Sequence, residues 1–328
     1  GTFWDHAVTM ARSRVITGPY ETDPENPILT SRNDCTLELQ RAGHASLVET
    51  QNGEWYMVHL CGRPIPSRGR CILGRETAIQ KMTWTSDNWI RLATGGNKPQ
   101  KYVPAPDLPE HIWPDEPARD DFDSDKLNIH FQTLRGPLGE DVLSLRERPG
   151  YLRLKGRESL HSRHVQSLVA RRQQSFVYTA STCVEFEPDN FQQLAGLVCL
   201  YNSLNYYYLC LTHDEEAGKC LNLLICDNGK LDAGLEAPIP LNGVSRCYLK
   251  VSVRYDRLRF FYSTDGTNWV PVGGIYDASK LSDEYQEYAN AYGFTGAFVG
   301  LCCQDLSGRR KHADFDFFEY RPEENVNS

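Results

Sequence analysis

Apolar residues along this chain come in short runs separated by turn residues, and almost nowhere at the three-to-four spacing of a helix. In "AGHASLVETQNGEWYMVHL", residues 42–60, Ala45 to Glu49 and Trp55 to Leu60 are β-rich, and Asn52-Gly53 between them is a strong two-residue hairpin signal. "HAVTMARS" reads as a strand leading into "TGPYE", punctuated at Gly18-Pro19. A Gly-, Pro- and Arg-rich loop spans Cys61 to Arg75. "TAIQKMTW" then reaches a turn at Ser86-Asp87-Asn88 before "WIRLA". Short antiparallel strands at this spacing predict a sandwich, a barrel or propeller blades over residues 1–96.

Residues 97–119, "NKPQKYVPAPDLPEHIWPDEPAR", carry six prolines and almost no periodicity. They predict an extended linker lying along a surface. A second all-β region runs over 120–322, with residues 323–328 as a tail. "QSFVYTASTCVEFEP" alternates from Phe176 and Tyr178 onward, and "LAGLVCLYNSLNYYYLCLTHD" reads as strand, turn about Asn202, strand. "RCYLKVSVRYDRLRFFYSTDGTNWVPVG" gives two strands around Tyr255-Asp256 and a further turn at Asp265-Gly266. Two packed antiparallel sheets account for this pattern. One helix is predicted, with Ser282 as N-cap, Tyr285, Tyr288 and Tyr292 at helical spacing, and Gly293 as its stop.

Composition supports large cores and two domains: 328 residues are 40% hydrophobic and 11% aromatic. A net charge of −8 without a basic stripe excludes nucleic acid as a partner. The basic stretches Arg171-Arg172 and Arg309-Arg310-Lys311 are short and read as solvated loop charge. No apolar run approaches the roughly 20 residues of a membrane helix, so no membrane partner is expected. The eleven cysteines include Cys199, Cys210, Cys226 and Cys302 inside apolar strand-like runs, and no CxxC has a matching second pair, which argues against zinc. Buried free thiols in a reducing compartment fit better, and the cytoplasm is the expected location.

Paired carboxylates are the first chemistry to seek in an acidic, aromatic-rich β protein, because glycoside hydrolysis needs two of them flanking the scissile bond. Asp5, Glu49, Glu76 and Asp305 are candidates, but turn and surface roles cover most of them. His44 and Arg75 stand out more, each following a glycine at a predicted strand start. In a propeller, the strand starts nearest the axis line a central pocket, where these two would converge. Arginine offers a planar fork of donors suited to sugar hydroxyls or a carboxylate, and histidine donates to a carboxylate or binds a metal. The plainer alternative has His44 capping a turn and Arg75 pairing with Glu76 or Glu49. Pattern alone does not choose.

"DHAVTMARSR", "GPYE", "QRAGHASLVET", "NGEWYMVHLCGRP", "LGRETAIQKMTWT" and "DNWIRL" resemble the later blades of a family 43 glycoside hydrolase of the β-xylosidase branch. "DDFDSDKLNIHFQTLR", "LAGLVCLYNSLNYYYL", "YSTDGTNW", "GFTGAFVGLCCQDLSG" and "ADFDFFEY" resemble that branch's C-terminal sandwich. The resemblance spans essentially the whole chain. It implies an all-β fold, part of a five-bladed β-propeller followed by a concanavalin A-like (lectin-like) β-sandwich. The implied activity is that of an inverting exo-hydrolase that removes xylose from xylooligosaccharide ends, often with arabinofuranosidase activity.

The family's histidine in "AGH" falls on His44, at the pocket floor, touching either the catalytic carboxylates or a calcium ion. Its arginine in "GRETA" falls on Arg75, which binds the terminal sugar. Its sandwich phenylalanine, which shapes the leaving-group side, falls on Phe294, with Phe298 the second choice because its strand setting reads as core. No cofactor is required, and calcium is the ion admitted. The family's three catalytic carboxylates lie in earlier blades, so acid and base are expected upstream of residue 1. Asp5 falls too late in the motif to replace the acid, and this chain alone is expected to be inactive. The resemblance further implies tetramers. The rivals are a sugar-binding or structural module, with Trp269 or Tyr206 to Tyr208 stacking on sugars, and one half of a split enzyme. Alternation turns half of those tyrosines inward.

Overall fold

The chain reverses at Asn52-Gly53, through a longer turn than the two-residue one expected: Gly53 takes φ +79°, the Thr50 N–H donates to the Glu54 carbonyl at 2.8 Å and the Gly53 N–H to the Thr50 carbonyl at 3.0 Å, and β1 (Gln40–Glu49) and β2 (Trp55–Gly62) pair antiparallel across it. β3 (Glu76–Trp84) and β4 (Ile90–Leu92) complete a four-stranded meander in sequence order, the form of a propeller blade. The computed structural model describes residues 3–66, 69–286 and 294–323. The chain divides into two compact units, Gly1–Asp115 and Glu116–Ser328.

"HAVTMARS" is not one strand. Ala7–Val8 pairs with Leu29–Thr30, and Ala11–Arg12 pairs with Glu21–Thr22. The Asn26 side chain causes the break, taking the Met10 N–H at 2.8 Å and giving a hydrogen bond back to the Met10 carbonyl at 2.8 Å. With both backbone groups satisfied by one amide, Met10 has no need of a neighbouring strand. Ile28, Leu29, Ala42, Met57, Met82, Ile90 and Leu92 form the core beneath. At its edge Arg91 grips the buried Asp23 with two bonds, at 2.6 and 2.8 Å.

The proline-rich stretch after β4 cannot extend the sheet by a regular ladder. Side chains bind it instead. Gln80 Oε1 accepts the Gln100 N–H at 2.9 Å, and Gln80 Nε2 donates to the Gln100 carbonyl at 3.0 Å. The Tyr56 hydroxyl donates to the Pro104 carbonyl at 3.1 Å, and Glu54 accepts from the Asp107 N–H at 2.7 Å.

The second unit is a two-sheet sandwich. Its longer strands are β5 (Leu152–Lys155), β6 (Ser167–Arg172), β7 (Val177–Glu185), β8 (Gln193–Asn202), β9 (Asn205–Asp214), β10 (Gly218–Asp227), β11 (Arg246–Arg254), β12 (Arg257–Ser263), β13 (Val270–Asp277), β14 (Phe298–Asp305) and β15 (His312–Pro322). One antiparallel sheet runs β6-β14-β8-β9-β10, flanked by Phe131–Gln132 and Lys230–Ala233, with Ile239–Pro240 also on β10. The other runs β5-β15-β7-β11-β12-β13, with Leu143–Ser144 at its edge and Arg119–Asp120 on β15. Leu197, Leu209, Leu249, Val251, Phe260 and Phe315 fill the space between the sheets.

The tyrosines alternate as expected, but both faces of their strand are covered. Tyr207 points into the inter-sheet core, while Tyr206 and Tyr208 join Leu168, Val198, Leu200, Cys210 and Cys302 in a second apolar cluster on the other face. All three are buried. None is available to stack on a sugar.

The predicted helix begins where expected but is described over only one turn, Asp283–Gln286, after a 3₁₀ turn at Ala278–Lys280. Ser282 stands before it with its hydroxyl donating back to the Ser279 carbonyl at 2.6 Å. Tyr288, Tyr292 and Gly293 lie outside the described residues.

His59 makes the first unit sensitive to acid. Its ring is 2% exposed, and burial holds its pKa below the ordinary histidine value. Nδ1–H donates to the Leu60 carbonyl at 2.9 Å and Nε2 accepts from Gln80 at 3.3 Å, which only the neutral ring can do. Its stabilisation is therefore complete above about pH 6.5, the unfolded value, and is lost as pH falls through the lower folded value. The denaturant midpoint is expected to fall between about pH 7.5 and about pH 5, and to fall less in His59→Asn. Equal losses in the two proteins would assign the acid sensitivity elsewhere.

Candidate functional site

Two slips of β1 against β2 shape the region around His44. Gln40 lies opposite Gly62 and Gly43 opposite Leu60, so β1 spends three steps on two; Ala45 then lies opposite His59, so it spends two on one. The extra residues take up left-handed backbone: Arg41 has φ +55° and His44 φ +50°. These are β-bulges, which re-aim side chains relative to the pleat. His44 accordingly stands inside a strand that begins at Gln40, not at a strand entrance. It is exposed, whereas Ala42 and Gly43 before it are buried.

His6 packs against this bulge. A Cβ at Gly43 would stand 2.5 Å from His6 Cε1 and 2.6 Å from Nδ1, so only glycine fits. His6 Nδ1 is hydrogen-bonded to the Arg41 carbonyl at 3.0 Å. Burial lowers the His6 pKa, against the bond to the Arg41 carbonyl that raises it, with smaller electrostatic contributions from His44 and Arg75 in the lowering direction. The three side chains thus form one electrostatic cluster. Arg41 is itself 2% exposed, with its guanidinium carbon 4.1 Å from the centre of the Trp4 ring. Trp4 also lines a hollow of about 650 Å³ with Asn33, Asp34 and Gln40 among its walls.

Arg75 immediately precedes β3, follows Gly74 at φ +68°, and is 8% exposed. The acid beside it is already engaged: Glu76 takes two bonds from Arg63, at 2.9 and 2.8 Å. Glu49 lies exposed at the far end of β1, and Asp5 is exposed as well. Burial pushes the Cys61 thiol up to about 12, so it remains protonated and unreactive. The cluster therefore offers nitrogen donors, suited to hydroxyls or to a carboxylate brought to it.

Among the described residues no group of three or more His, Cys, Asp or Glu is placed to hold a metal ion. Calcium prefers six to eight oxygens. An exposed imidazole without a carboxylate shell does not fit that demand, so no step is assigned to calcium here.

In the second unit Phe294 is 43% exposed and holds φ +57°, an uncommon backbone for a bulky residue. Phe298 opens β14 and packs on the apolar cluster of Leu168 and Leu200. Trp269 is half-buried, with Lys250 Nζ 3.9 Å from its ring centre. Asp305 is 4% exposed and serves its own loop: it accepts from the Ser307 N–H at 2.9 Å and the Lys311 N–H at 2.8 Å. Burial alone would raise its pKa, but these bonds and those from the Ser307 hydroxyl and Gln193 hold it low. His6, Arg41 and Trp4 were not singled out by sequence pattern. No local signal ties His6 to a glycine 37 positions later.

The profile of glycosyl hydrolases family 43 matches residues 1–90, and that of the β-xylosidase C-terminal concanavalin A-like domain matches residues 119–321. The chain is 46% identical over 331 residues to a beta-xylosidase of Bacillus subtilis (strain 168) and 43% identical over 331 residues to a xylan 1,3-beta-xylosidase of Vibrio sp. Each alignment covers 98% of this chain and 61% of the relative. The crystal structure of xylan beta-1,4-xylosidase from Bacillus halodurans C-125 superposes with a TM-score of 0.94 at 50% identity, covering 98% of this chain and 61% of that one. The chain thus spans less than two thirds of the length of these relatives.

The contrast between a buried arginine and an exposed histidine is measurable. Arg75→Ala is expected to cost on the order of 2–3 kcal/mol, as truncating a large buried side chain does. His44→Asn should change stability by no more than about 0.5 kcal/mol, since asparagine tolerates left-handed backbone. Denaturant unfolding of the two variants measures both. Equal losses would mean that the bulge depends on the His44 side chain itself.

Proposed function

Because the chain belongs to family 43 of the glycosyl hydrolases and carries that family's β-xylosidase C-terminal domain, we propose that it forms part of an inverting, exo-acting hydrolase. The substrate is the end of a xylooligosaccharide, the product is xylose, and arabinofuranosides are a second substrate class. The observation that carries this reading is the cluster of His44 on the bulged strand, His6 packed against the bulge and Arg75 at the start of β3. Its donors suit the hydroxyls of a terminal sugar and the carboxylates that act on it.

In such a reaction one carboxylate activates a water and another, protonated, gives its proton to the leaving oxygen. The two stand about 6.5–9.5 Å apart to admit the water. Asp5, Glu49, Glu76 and Asp305 are poorly suited to either role, being exposed, ion-paired or committed to a loop. We assign this chain the work of holding the sugar: Arg75 through its fork of donors, and His44 as a proton-bearing partner of carboxylates. Phe294 is assigned to the leaving-group side. All eleven cysteines are free and ten are buried, which supports a reducing compartment such as the cytoplasm.

The complete enzyme carrying these residues should release xylose from xylooligosaccharides and from a nitrophenyl xyloside. In His44→Gln the acid limb of the pH profile should shift, and a chelator should leave wild-type activity unchanged. Loss of activity on chelation, restored by calcium, would make His44 a ligand instead. Residues 1–328 alone should turn over slower by more than the roughly 10²–10⁴-fold that one acid or base supplies. Ordinary glycosidase rates from that chain would make one of its own carboxylates catalytic.

Phe294→Ala in the complete enzyme should weaken inhibition by bulky aglycone-like ligands more than it slows hydrolysis, because an aromatic there contributes packing and not proton transfer. Equal effects on all ligands, or none, would make Phe294 structural.

A further inference from the structure

His6 touches the candidate site at the one stretch where its backbone is least regular. Arg41 and His44, at φ +55° and +50°, bracket Ala42 and Gly43. Left-handed conformations are unfavourable for residues bearing a side chain and persist only where the surroundings hold them. His6 supplies two such restraints. Its Nδ1 bond at 3.0 Å fixes the carbonyl of Arg41. Its ring occupies the space where a Cβ of residue 43 would be, with Cγ, Nδ1 and Cε1 all 2.5–2.7 Å from that point. The bulge cannot relax toward a regular ladder without displacing the ring.

The chemistry of the contact also has a direction. Arg41 O accepts only, so Nδ1 carries the proton and Nε2 presents a lone pair. His44 and Arg75 both act on this ring electrostatically. A charged His6 would repel them, and burial disfavours that state. Neutral His6 therefore adds no positive charge beside His44 and Arg75.

We infer that His6 is a positioning residue, a wedge between Arg41 and Gly43 that sets where His44 points relative to Arg75. The inference rests on reading His44 and Arg75 as the residues that hold the sugar. It predicts that His6 and Gly43 act as a matched pair: a larger residue at 43, or a smaller one at 6, misplaces His44 in the same way.

The test separates the inference from the reading beneath it. In residues 1–328, selectively labelled at histidine, His6→Ala should shift the imidazole resonances of His44 and leave those of His130 and His213 in place. Gly43→Ala should shift the same His44 signals. His6→Asn, whose amide still donates to the Arg41 carbonyl, should restore them toward wild type. In the complete enzyme His6→Ala should raise KM about tenfold with kcat changed much less, as expected when ground-state contacts are misplaced. Should His6→Ala fail to fold, Gly43→Ala provides both readouts.

His44 signals that stay fixed in a folded His6→Ala, or that move together with those of His130 and His213, would overturn the inference. If the His44 resonances move as stated while His44→Gln leaves xyloside hydrolysis unaltered, the positioning role stands and the sugar-holding reading fails.

Discussion

The slips of β1 against β2 are the constraint on which the arrangement around His44 depends. Ala42 is wholly buried in the core formed by Met57, Met82 and Ile90, and Ala45 packs against that same core. In a regular strand, residues three apart face opposite sides of the sheet. Both alanines reach one core only because an extra residue intervenes, and that residue is His44. The bulge thus solves a packing problem and presents an imidazole outside the alternation with the same stroke. Arg41 and His6 are consequences of it: one takes up the first slip, the other fills the space left over a glycine.

The sandwich rests on a different asymmetry. β8 and β9 are buried on both faces, one toward the second sheet and one toward the cluster of Tyr206, Tyr208, Cys210 and Cys302. Antiparallel sheets more often keep one face wet, and the second sheet does so. Along β11 buried and partly exposed residues alternate. Across that sheet Arg148 donates to Glu185 at 2.7 Å and to Asp314 at 2.9 Å, and Arg153 holds Asp314 at 2.6 and 2.8 Å. The Tyr151 hydroxyl completes the network on Glu185 at 3.1 Å. A network of this kind fixes its members in place more than it adds net stability.

Although the protein is acidic, the buried acids described here are committed. Asp23 belongs to Arg91. Asp283 accepts from the Tyr201 hydroxyl at 2.6 Å. Asp314 is held below the usual carboxylate range because ion pairs with Arg153 and Arg148 outweigh the burial that would raise it. A general acid needs the opposite, a carboxyl kept protonated near neutral pH. With these acids engaged, the side chains gathered around the bulge of β1 are nitrogen donors.

Much of this was legible in the chain. The Asn52-Gly53 hairpin, the all-β class, the two-sheet second region and the prominence of His44 and Arg75 follow from turn chemistry, short apolar runs and recurring motifs, all of which act within a few residues. Local pattern could not decide the rest. Whether both faces of β9 are covered depends on strands distant in sequence, so alternation placed its tyrosines on opposite faces without showing that the outer face is buried too. The break in "HAVTMARS" depends on Asn26, sixteen positions from Met10. The start of β1 at Gln40 and the two slips within it depend on a core that must receive Ala42 and Ala45 together. His6 meets Gly43 only after the intervening residues have folded back, because a glycine's missing side chain records nothing of what will occupy its place. The chain itself determines which residues can form strands and carry donors; the tertiary structure decides which of them face one another, since packing against distant neighbours sets register and register sets direction.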